Sequence, residues 1–590
     1  MFEPRQQPNR RARLALAVLV AVFVLGAVVG ASSHGSEPQQ LAERYAAEWS
    51  HGEWARMYGQ LDRAARSSLS ERAFAADYRE ALRTATATSV AVAGSARSGS
   101  GGVWQVPLRV RTRIFGTLRL PALLTVREED GGQRIAWTPS ATFPGVAGGA
   151  RLARSTELPP RAKLLAREGS VLAEGTPATT PGRPPAETNR ASPLGSAADA
   201  AVGALGPAPA ARRAALAAEG VPADAPVGIS GLELALDARL RGTPGGTLLA
   251  GKRILASSAP RAAAPVRTSI SPSVQQAAAE ALGSQYGGVV VLDPRTGQIL
   301  AVAGIALEGL QPPGSTFKMV TVSAALKYGV ARPSTVFPYA TYATLDGVKL
   351  ANSKGEECGG SLVLAFAVSC NSVFAPLGVK IGASHLVATA EAYGFNSPSP
   401  VAGAAESTIP PAHEIQGELD LGSTAIGQGE VLASPLEMAR IAATIGDRGR
   451  RPTPTFTLAR AAAGPSVTSA RVAAEIRRMM VAVVTGGTGT AAAIPGVTVA
   501  GKTGTAELGL PCTESEKGKE GGKAKEGEEK EGAASCGESP SDTDAWFAAF
   551  APALHPRVAV GVLLVKDGFG GETAAPVARQ VIEAALAAHL

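Results

Sequence analysis

Histidine, methionine and cysteine are scarce in this chain, and their scarcity argues against a metal centre. The 590 residues contain six histidines, six methionines and four cysteines, with no C-x-x-C or H-x-x-x-H spacing. Zinc sites need clustered histidine and cysteine ligands, so we expect neither a metal site nor a cofactor. Aromatic residues make up only 5% of the chain, the net charge is only +7, and no basic stripe is interleaved with aromatics. This pattern indicates an ordinary solvated surface and no nucleic-acid partner.

Charge is missing from one stretch near the start of the chain. Residues 14–31 form an uncharged apolar run of 18 residues that follows four arginines, and this is the lower practical length of a transmembrane helix. The arginines favour a cytoplasmic start. The sequence therefore predicts a cytoplasmic basic tail at 1–13, a single-pass anchor at 14–31 in the cell membrane, and an extracytoplasmic body. A cleaved signal peptide and a buried soluble helix are the alternatives.

The rest of the chain divides into three intervals of different pattern. Residues 37–140 carry helix-period apolar residues and then strand-like runs, which is typical of a small α+β domain. Residues 145–265 are rich in alanine, proline, glycine and arginine. From 267 to 590 the pattern predicts a compact α/β domain, in which GGVVVLD and QILAVA form a hairpin. Within it, residues 514–531 have no large apolar side chain and are expected to be a solvated loop.

The four cysteines fit an oxidising compartment. Cys358 lies close to Cys370 in sequence, and Cys512 lies close to Cys536. Four cysteines permit three pairings, and four free thiols are a further alternative. We predict a Cys512–Cys536 disulfide, because it would close the base of the charged loop, and a Cys358–Cys370 disulfide as the second pair.

Three short motifs in the last interval carry residues suited to acyl transfer. In chain order they are Ser315-Thr316-Phe317-Lys318, Ser369-Cys370-Asn371 and Lys502-Thr503-Gly504. Each motif alone also fits a surface helix, a helix cap or a hairpin turn. Their order and their mutual chemical consistency make the set specific for a serine acyltransferase.

The chemistry explains why these residue types occur together. A serine hydroxyl needs an adjacent base to become a nucleophile, and Lys318 lies one helical turn beyond Ser315 on the same face. The Pro-Pro-Gly before Ser315 predicts that this serine begins a helix, where the dipole favours a developing oxyanion. A lysine acts as a base only when burial or a cationic neighbour lowers its pKa. Lys502 is the expected neighbour.

The remaining motif residues have expected roles around that pair. Ser369 is expected to relay a proton between Lys318 and the leaving nitrogen, and Asn371 to hold either the substrate amide or Lys318. Lys502 is expected to pair with a substrate carboxylate. Its strand would bind an extended peptide by edge pairing, and Gly504 would keep that edge uncrowded.

At this point the chain resembles the penicillin-binding protein and serine β-lactamase superfamily. The segments PPGSTFK, VSCNSVF, AIGQGEVLASPLEMA and AGKTGTAE are similar to the transpeptidase domain of class B penicillin-binding proteins. RAKLLAREGSVLA resembles the pedestal motif of that class, although Ala162 and Ala166 replace its glycine and aspartate and put its local packing in doubt. The helices and strands between Glu37 and Thr138 are similar to a nuclear-transport-factor-like module.

The resemblance implies a multidomain α+β architecture. It comprises the transmembrane helix, a small nuclear-transport-factor-like α+β domain at 37–140 and an elongated pedestal, or dimerisation-type, domain at 145–265. A C-terminal α/β transpeptidase domain at 267–590 would hold an antiparallel sheet between helical layers. No glycosyltransferase segment is recognisable between anchor and pedestal, which disfavours the bifunctional class.

The resemblance also implies an activity and its residues. Ser315 would be acylated, with Lys318 as base and the backbone N–H groups of Ser315 and Thr505 as the oxyanion hole. The hydroxyls of Thr503 and Thr505 would bind the donor carboxylate. The donor would be a peptidoglycan stem peptide ending in D-Ala-D-Ala, and the acceptor an amine of a neighbouring stem. Implied partners are β-lactams, the cytoplasmic membrane and a membrane glycan polymerase of the SEDS type.

Three other functions are weighed against cross-linking. A β-lactamase needs a deacylating base such as the glutamate of a Glu-x-x-Leu-Asn motif, and none occurs between Asn371 and Lys502. A D,D-carboxypeptidase, which uses water as acceptor, stays open as an alternative. A non-catalytic β-lactam sensor or scaffold is the alternative from another class. Its cytoplasmic signalling part would have to fit in thirteen residues, and the intact Ser315 and Lys318 argue against it.

Overall fold

A computed structural model describes residues 35–147, 149–176, 185–458, 464–507 and 543–588. The predicted tail, the predicted anchor and the charged loop with Cys512 and Cys536 lie outside these residues. Among the described residues no single helix is long and apolar enough to cross a membrane. One bent pair of helices, Asn371–Ile381 and Ala383–Tyr393, meets the length and composition requirement together, with 101° between its members.

The chain forms two compact units, and the first contains most of the N-terminal third. Of the described residues it comprises 35–147, 149–159, 210–223 and 243–261. Its helices are Glu37–His51, Trp54–Gly59, Arg63–Ser68, Glu71–Thr84 and Ala210–Ala218. Its strands are Ala87–Val92, Arg97–Ser98, Val103–Thr112, Thr117–Glu129, Gly132–Ile135, Leu152–Glu157, Gly245–Ala250 and Arg253–Ser258.

Apolar spacing explains the first unit's core. The helix Glu37–His51 buries Leu41, Tyr45 and Trp49, which are four residues apart and share one face. The strand Val103–Thr112 buries alternate residues and pairs antiparallel with its neighbours on both sides. The predicted helices followed by strands are therefore present as an α+β fold.

The interval predicted as one pedestal domain is divided between the two units. The strand Leu152–Glu157 pairs with Gly245–Ala250 inside the first unit. Residues 160–209 and 224–242 belong to the second unit. Strand pairing between distant stretches decides this division, and the local composition used for the prediction does not reveal it.

The pedestal part of the second unit consists of short strands and helices joined by buried ion pairs between side chains. Glu233 accepts from Arg161 Nε at 2.6 Å and from Arg190 Nε at 2.7 Å, and Asp237 accepts from Arg161 Nη2 at 2.9 Å. The strands here are Leu164–Leu165, Val171–Ala173, Thr188–Asn189, Ala204–Gly206, Val227–Gly228 and Val266–Arg267. The helices are Asp199–Val202, Gly231–Ala235 and Asp237–Leu240.

The two departures from the pedestal motif are accommodated by packing. Ala162 and Ala166 are both buried in the core of the second unit. The backbone N–H of Ala162 donates to the carbonyl of Leu240 at 2.8 Å, and that of Ala166 to the carbonyl of Ser170 at 2.9 Å. Small apolar side chains at these positions thus leave the local structure intact.

A five-stranded antiparallel sheet forms the centre of the C-terminal domain. From here on elements of this domain carry labels in chain order. The described strands of the whole domain, including four outside the central sheet, are β1 Gly287–Leu292, β2 Ile299–Gly304, β3 Val336–Ala340, β4 Tyr342–Leu345, β5 Val348–Ala351, β6 Cys358–Ser361, β7 Ala500–Glu507, β8 Thr543–Ala551 and β9 Val558–Leu564. The sheet order is β2-β1-β9-β8-β7, with all pairs antiparallel. The predicted β1–β2 hairpin is confirmed, and β7 ends the described sheet.

Helices cover both faces of this sheet. They are α1 Pro272–Leu282, α2 Lys318–Lys327, α3 Leu362–Ala367, α4 Asn371–Ile381, α5 Ala383–Tyr393, α6 Gly417–Ala425, α7 Pro435–Gly446, α8 Ala470–Gly486 and α9 Ala574–Ala587. Val290 and Leu292 pack into the core shared with α7, while Val289 and Val291 pack into the core shared with α1 and α9. Burial on both faces explains why β1 is continuously apolar. The predicted sheet between helical layers is therefore present.

Candidate active site

A tight turn in the C-terminal domain carries the half-buried Ser315. Residues Gly314–Phe317 form a 3₁₀ turn, and α2 starts at Lys318. The predicted α-helix start at Ser315 is therefore displaced by one turn. Side chains three residues apart eclipse in a 3₁₀ turn, which places Ser315 and Lys318 on one face. The N–H of Gly314 donates to the carbonyl of Gly427 at 2.9 Å and fixes the turn.

Lys318 is completely buried and held by neutral acceptors. Its Nζ donates to the carbonyl of Ser369 at 2.7 Å and to Asn371 Oδ1 at 2.6 Å. The Ser369 Oγ lies 3.4 Å from the same nitrogen. Burial, together with the positive charge of Lys502, holds the pKa of Lys318 well below its ordinary value. The neutral amine needed for a base is therefore favoured.

A strained turn presents Ser369 and Asn371 to that lysine. Ser369 has φ +63°, a left-handed conformation that is uncommon outside glycine and typical of functional sites. Asn371 begins α4, and its Nδ2 donates to the carbonyl of Ala351 at 2.9 Å. Of the two expected contacts for Asn371, the described structure contains the one with Lys318. A disulfide joins Cys370 to Cys358, the pair that we predicted, and ties this turn to β6.

Lys502 approaches Ser369 from the other side. Its side chain is buried in β7, and its Nζ donates to Ser369 Oγ at 2.9 Å and to the carbonyl of Thr503 at 3.0 Å. Burial lowers the pKa of Lys502 to about 7. The Ser369 hydroxyl thus lies between two lysine nitrogens and is placed to pass a proton from one to the other.

Gly504 is required by close packing of the nucleophile turn on β7. A Cβ added to Gly504 would lie 2.7 Å from the carbonyl oxygen of Pro313 and 2.9 Å from Trp546 Cβ. Gly314 has φ +50°, and a Cβ there would lie 2.6 Å from the carbonyl oxygen of Thr505. The glycine therefore allows the Ser315 turn to sit directly on the strand, which is a stronger constraint than an uncrowded edge.

One cavity of about 300 Å³ brings the three motifs together. Ser315, Ser369, Asn371, Thr503 and Thr505 all line it, while both motif lysines are buried. The sequence motifs, which span 190 residues of the chain from Ser315 to Gly504, are therefore assembled at one place. Among the described residues no group of histidine, cysteine, aspartate and glutamate is arranged to hold a metal.

Several cavity residues were missed by the sequence reasoning. The Thr488 hydroxyl lies 2.6 Å from that of Thr503, and Gln428 follows the glycine that fixes the nucleophile turn. Lys354, Phe569 and Glu572 also line the cavity. The AIGQGE segment signalled Gln428, whereas the others lie outside the three motifs and carried no comparable signal.

Comparison with known families agrees with this arrangement. The penicillin binding protein transpeptidase domain family matches residues 287–583. The NTF2-like N-terminal transpeptidase domain matches residues 37–150, and the penicillin-binding protein dimerisation domain matches residues 183–253. The three matched ranges follow one another along the chain, with the N-terminal domain first, the dimerisation domain second and the transpeptidase domain last.

Individual relatives and solved structures to which the chain is similar are also penicillin-binding proteins or D,D-transpeptidases. The chain is 35% identical to the peptidoglycan D,D-transpeptidase PbpA of Mycolicibacterium smegmatis over 60% of this chain and 79% of that protein. The crystal structure of PBPA from Mycobacterium tuberculosis is 29% identical, with a TM-score of 0.53 over 72% of this chain and 99% of that one. The D,D-transpeptidase domain of a peptidoglycan glycosyltransferase from Eggerthella lenta is 27% identical, with a TM-score of 0.55 over 73% of this chain and 98% of that one. The structure of the M. tuberculosis protein has also been solved as its penicillin G acyl-enzyme complex.

Proposed function

The chain belongs to the penicillin-binding protein transpeptidases of class B architecture, and on that premise we propose that it cross-links peptidoglycan through an acyl-enzyme on Ser315. The observation that carries this assignment is the buried amine of Lys318. It is held by Ser369 and Asn371 beneath the cavity that Ser315 lines. β-Lactams acylate the same serine.

The proposed acylation uses these residues as follows. Neutral Lys318 takes the proton of the Ser315 hydroxyl while Ser315 Oγ bonds to the carbonyl carbon of the penultimate D-alanine. The bond to the terminal D-alanine breaks, and its nitrogen receives the proton through Ser369. The backbone N–H groups of Ser315 and Thr505 stabilise the oxyanion.

The same groups run the second half of the reaction in reverse. An amine from a neighbouring stem attacks the acyl carbon, gives up its proton towards Ser369 and Lys318, and Ser315 leaves as the hydroxyl. The hydroxyls of Thr503 and Thr505 hold the donor carboxylate. Lys502 lies behind them, where its Nζ donates to Ser369 Oγ and to the backbone carbonyl of Thr503.

The location of this reaction is part of the proposal. Residues 14–31 anchor the protein in the cytoplasmic membrane, and the catalytic domain lies outside the cytoplasm, where stem peptides are found. A membrane glycan polymerase of the SEDS type is the proposed protein partner, because it would supply new strands at the same surface. The Cys358–Cys370 disulfide fits an oxidising compartment.

Steady turnover of a D-Ala-D-Ala peptide separates this activity from its alternatives. In the presence of an amine acceptor peptide we expect release of D-alanine together with a cross-linked product, measured by mass-resolved chromatography. Hydrolysed donor as the sole product at saturating acceptor would identify a carboxypeptidase. A single equivalent of D-alanine without turnover would identify a sensor or scaffold.

A further inference from the structure

Two threonine hydroxyls meet at the wall of the catalytic cavity. Thr488 Oγ1 lies 2.6 Å from Thr503 Oγ1, and both residues line the cavity that contains Ser315. Thr503 belongs to the Lys-Thr-Gly motif, whereas Thr488 belongs to none of the three motifs. Each hydroxyl has one proton to donate and two lone pairs that accept. The direction of the bond between the two hydroxyls therefore decides where the proton of Thr503 points.

The backbone at Thr488 is fixed by close packing on both sides. Its N–H donates to the carbonyl of Ala367 at 3.1 Å. A Cβ on Gly487 would lie 2.2 Å from the same Ala367 oxygen, and a Cβ on Gly571 would lie 2.2 Å from the carbonyl oxygen of Thr488. The turn after α8 thus holds the Thr488 side chain against Thr503, and a group that is already in place costs little entropy when a ligand binds.

The Thr488 hydroxyl has a second acceptor, so the protons have two possible arrangements. In the first, Thr503 donates to Thr488, and Thr488 donates to the carbonyl of Ala367 at 3.5 Å. In the second, Thr488 donates to Thr503, and the proton of Thr503 is left to donate into the cavity. The second arrangement loses only the long contact, because Ala367 keeps the N–H of Thr488. An anion in the cavity favours it, since both O–H dipoles then point towards the negative charge.

Thr505 has a comparable arrangement with a different donor. The N–H of Gly570 donates to Thr505 Oγ1 at 3.5 Å, and a hydroxyl that accepts from the protein keeps its own proton for a ligand. Thr503 and Thr505 are two residues apart on β7, so their side chains leave the strand on the same side. Two hydroxyl donors in this register fit the two oxygens of one carboxylate.

We propose that Thr488 is a positioning residue for the carboxylate of the donor peptide: it donates to Thr503, so that the proton of Thr503 faces that carboxylate. This inference rests on the proposed function, which assigns Thr503 and Thr505 to the donor carboxylate. The group recognised is a C-terminal carboxylate, and the neutral amide of the same donor lacks the charge that reverses the bond between the hydroxyls. Thr488 therefore adds to the selectivity for an anionic donor without touching the reacting atoms.

A pair of thioester donors separates an effect on the carboxylate from an effect on the fold. Both carry an N-acylated D-alanine, and the leaving thiol is thioglycolate in one and its neutral amide in the other. The released thiol is measured by absorbance, and kcat/KM is compared between the two donors. Thr488→Val removes the hydroxyl but keeps the branched shape, and Thr488→Ser keeps the hydroxyl. Thr485→Val, at an exposed position in the last turn of α8, is the matched control.

Thr488→Val is expected to lower kcat/KM for the carboxylate donor roughly 3- to 10-fold, because Thr503 loses the group that aligns it. The amide donor should change less than twofold, and Thr488→Ser should restore the value for the carboxylate donor. Since Thr488 acts through Thr503, the double variant Thr488→Val/Thr503→Val should be no worse than Thr503→Val alone.

Three results would overturn the proposal: equal losses with both donors, which a purely structural role would give; additive losses in the double variant; or a Thr488→Val value within twofold of Thr485→Val. Failure of Thr488→Ser to restore the value would count against it as well. Penicillin labelling of Ser315 in the unaltered protein is measured in parallel. If Ser315 is labelled and Thr503→Val loses carboxylate selectivity while Thr488→Val keeps it, the positioning role of Thr488 alone is wrong.

Discussion

Replacing Lys318 by methionine is expected to slow acylation by penicillin about 10²–10⁴-fold, the usual contribution of a positioned base. Methionine has a similar length and apolar character, so the buried site stays filled while the amine is lost. Burial and the charge of Lys502 lower the pKa of Lys318. The acylation rate of the unaltered protein should therefore rise with pH and level off well below pH 10.5.

Stopped-flow or gel detection of a fluorescent penicillin measures both effects. The Lys318→Met variant should lose most of the rate, together with the rise with pH that belongs to the amine. Lys380→Met, at an exposed position on α4, is the matched control and should acylate at the normal rate. A Lys318→Met variant within tenfold of the normal rate would show that another group acts as the base.

Replacing Lys502 by methionine is expected to stabilise the folded protein at neutral and lower pH. Burial lowers the pKa of Lys502 from 10.5 to about 7, and this difference corresponds to roughly 5 kcal/mol at about 1.36 kcal/mol per pKa unit. The variant also loses the hydrogen bonds to Ser369 and Thr503, which together are worth about 1–3 kcal/mol. We therefore expect a net gain of roughly 2–4 kcal/mol in the free energy of unfolding below pH 7.

The pH dependence gives the sign of this effect. Between about pH 7 and 10.5 the unfolded chain holds a proton on Lys502 that the folded chain has lost, so the stability of the unaltered protein rises with pH. The advantage of Lys502→Met should accordingly be full below pH 7 and absent near pH 10.5.

Urea unfolding at pH 6.5 and at pH 10 tests this expectation, with Lys380→Met as the control. Equal stability of Lys502→Met and the unaltered protein at pH 6.5 would mean that burial of the charged lysine does not lower the free energy of unfolding. A gain in the free energy of unfolding that is the same at both pH values would show that better packing of methionine, and not loss of the charge, stabilises the variant.

The sequence was informative wherever function depends on residue type at fixed spacing. Ser315 and Lys318 are three residues apart, and local geometry alone places them on one face. The continuously apolar β1 and the turn after it predicted a covered hairpin, and the structure confirms it. The Cys358–Cys370 pair was also predictable, because only twelve positions separate its members.

The sequence was uninformative wherever distant segments meet. Lys354 and Glu572 are 218 residues apart, and neither belongs to a motif, so their ion pair at the cavity mouth has no sequence signature. The reason for glycine at Gly504 became clear only when the carbonyl of Pro313 was found beneath it. The division of the pedestal interval likewise depends on a strand pairing between 152–157 and 245–250.

Mass spectrometry of the intact protein after incubation with penicillin G, followed by peptide mapping, shows directly whether Ser315 is the acylated nucleophile. We expect one stable adduct with the full mass of the drug, located on Ser315 and absent from a Ser315→Ala variant that is folded by circular dichroism. An adduct mapped to any other residue, or a folded unaltered protein that carries no adduct, would contradict it.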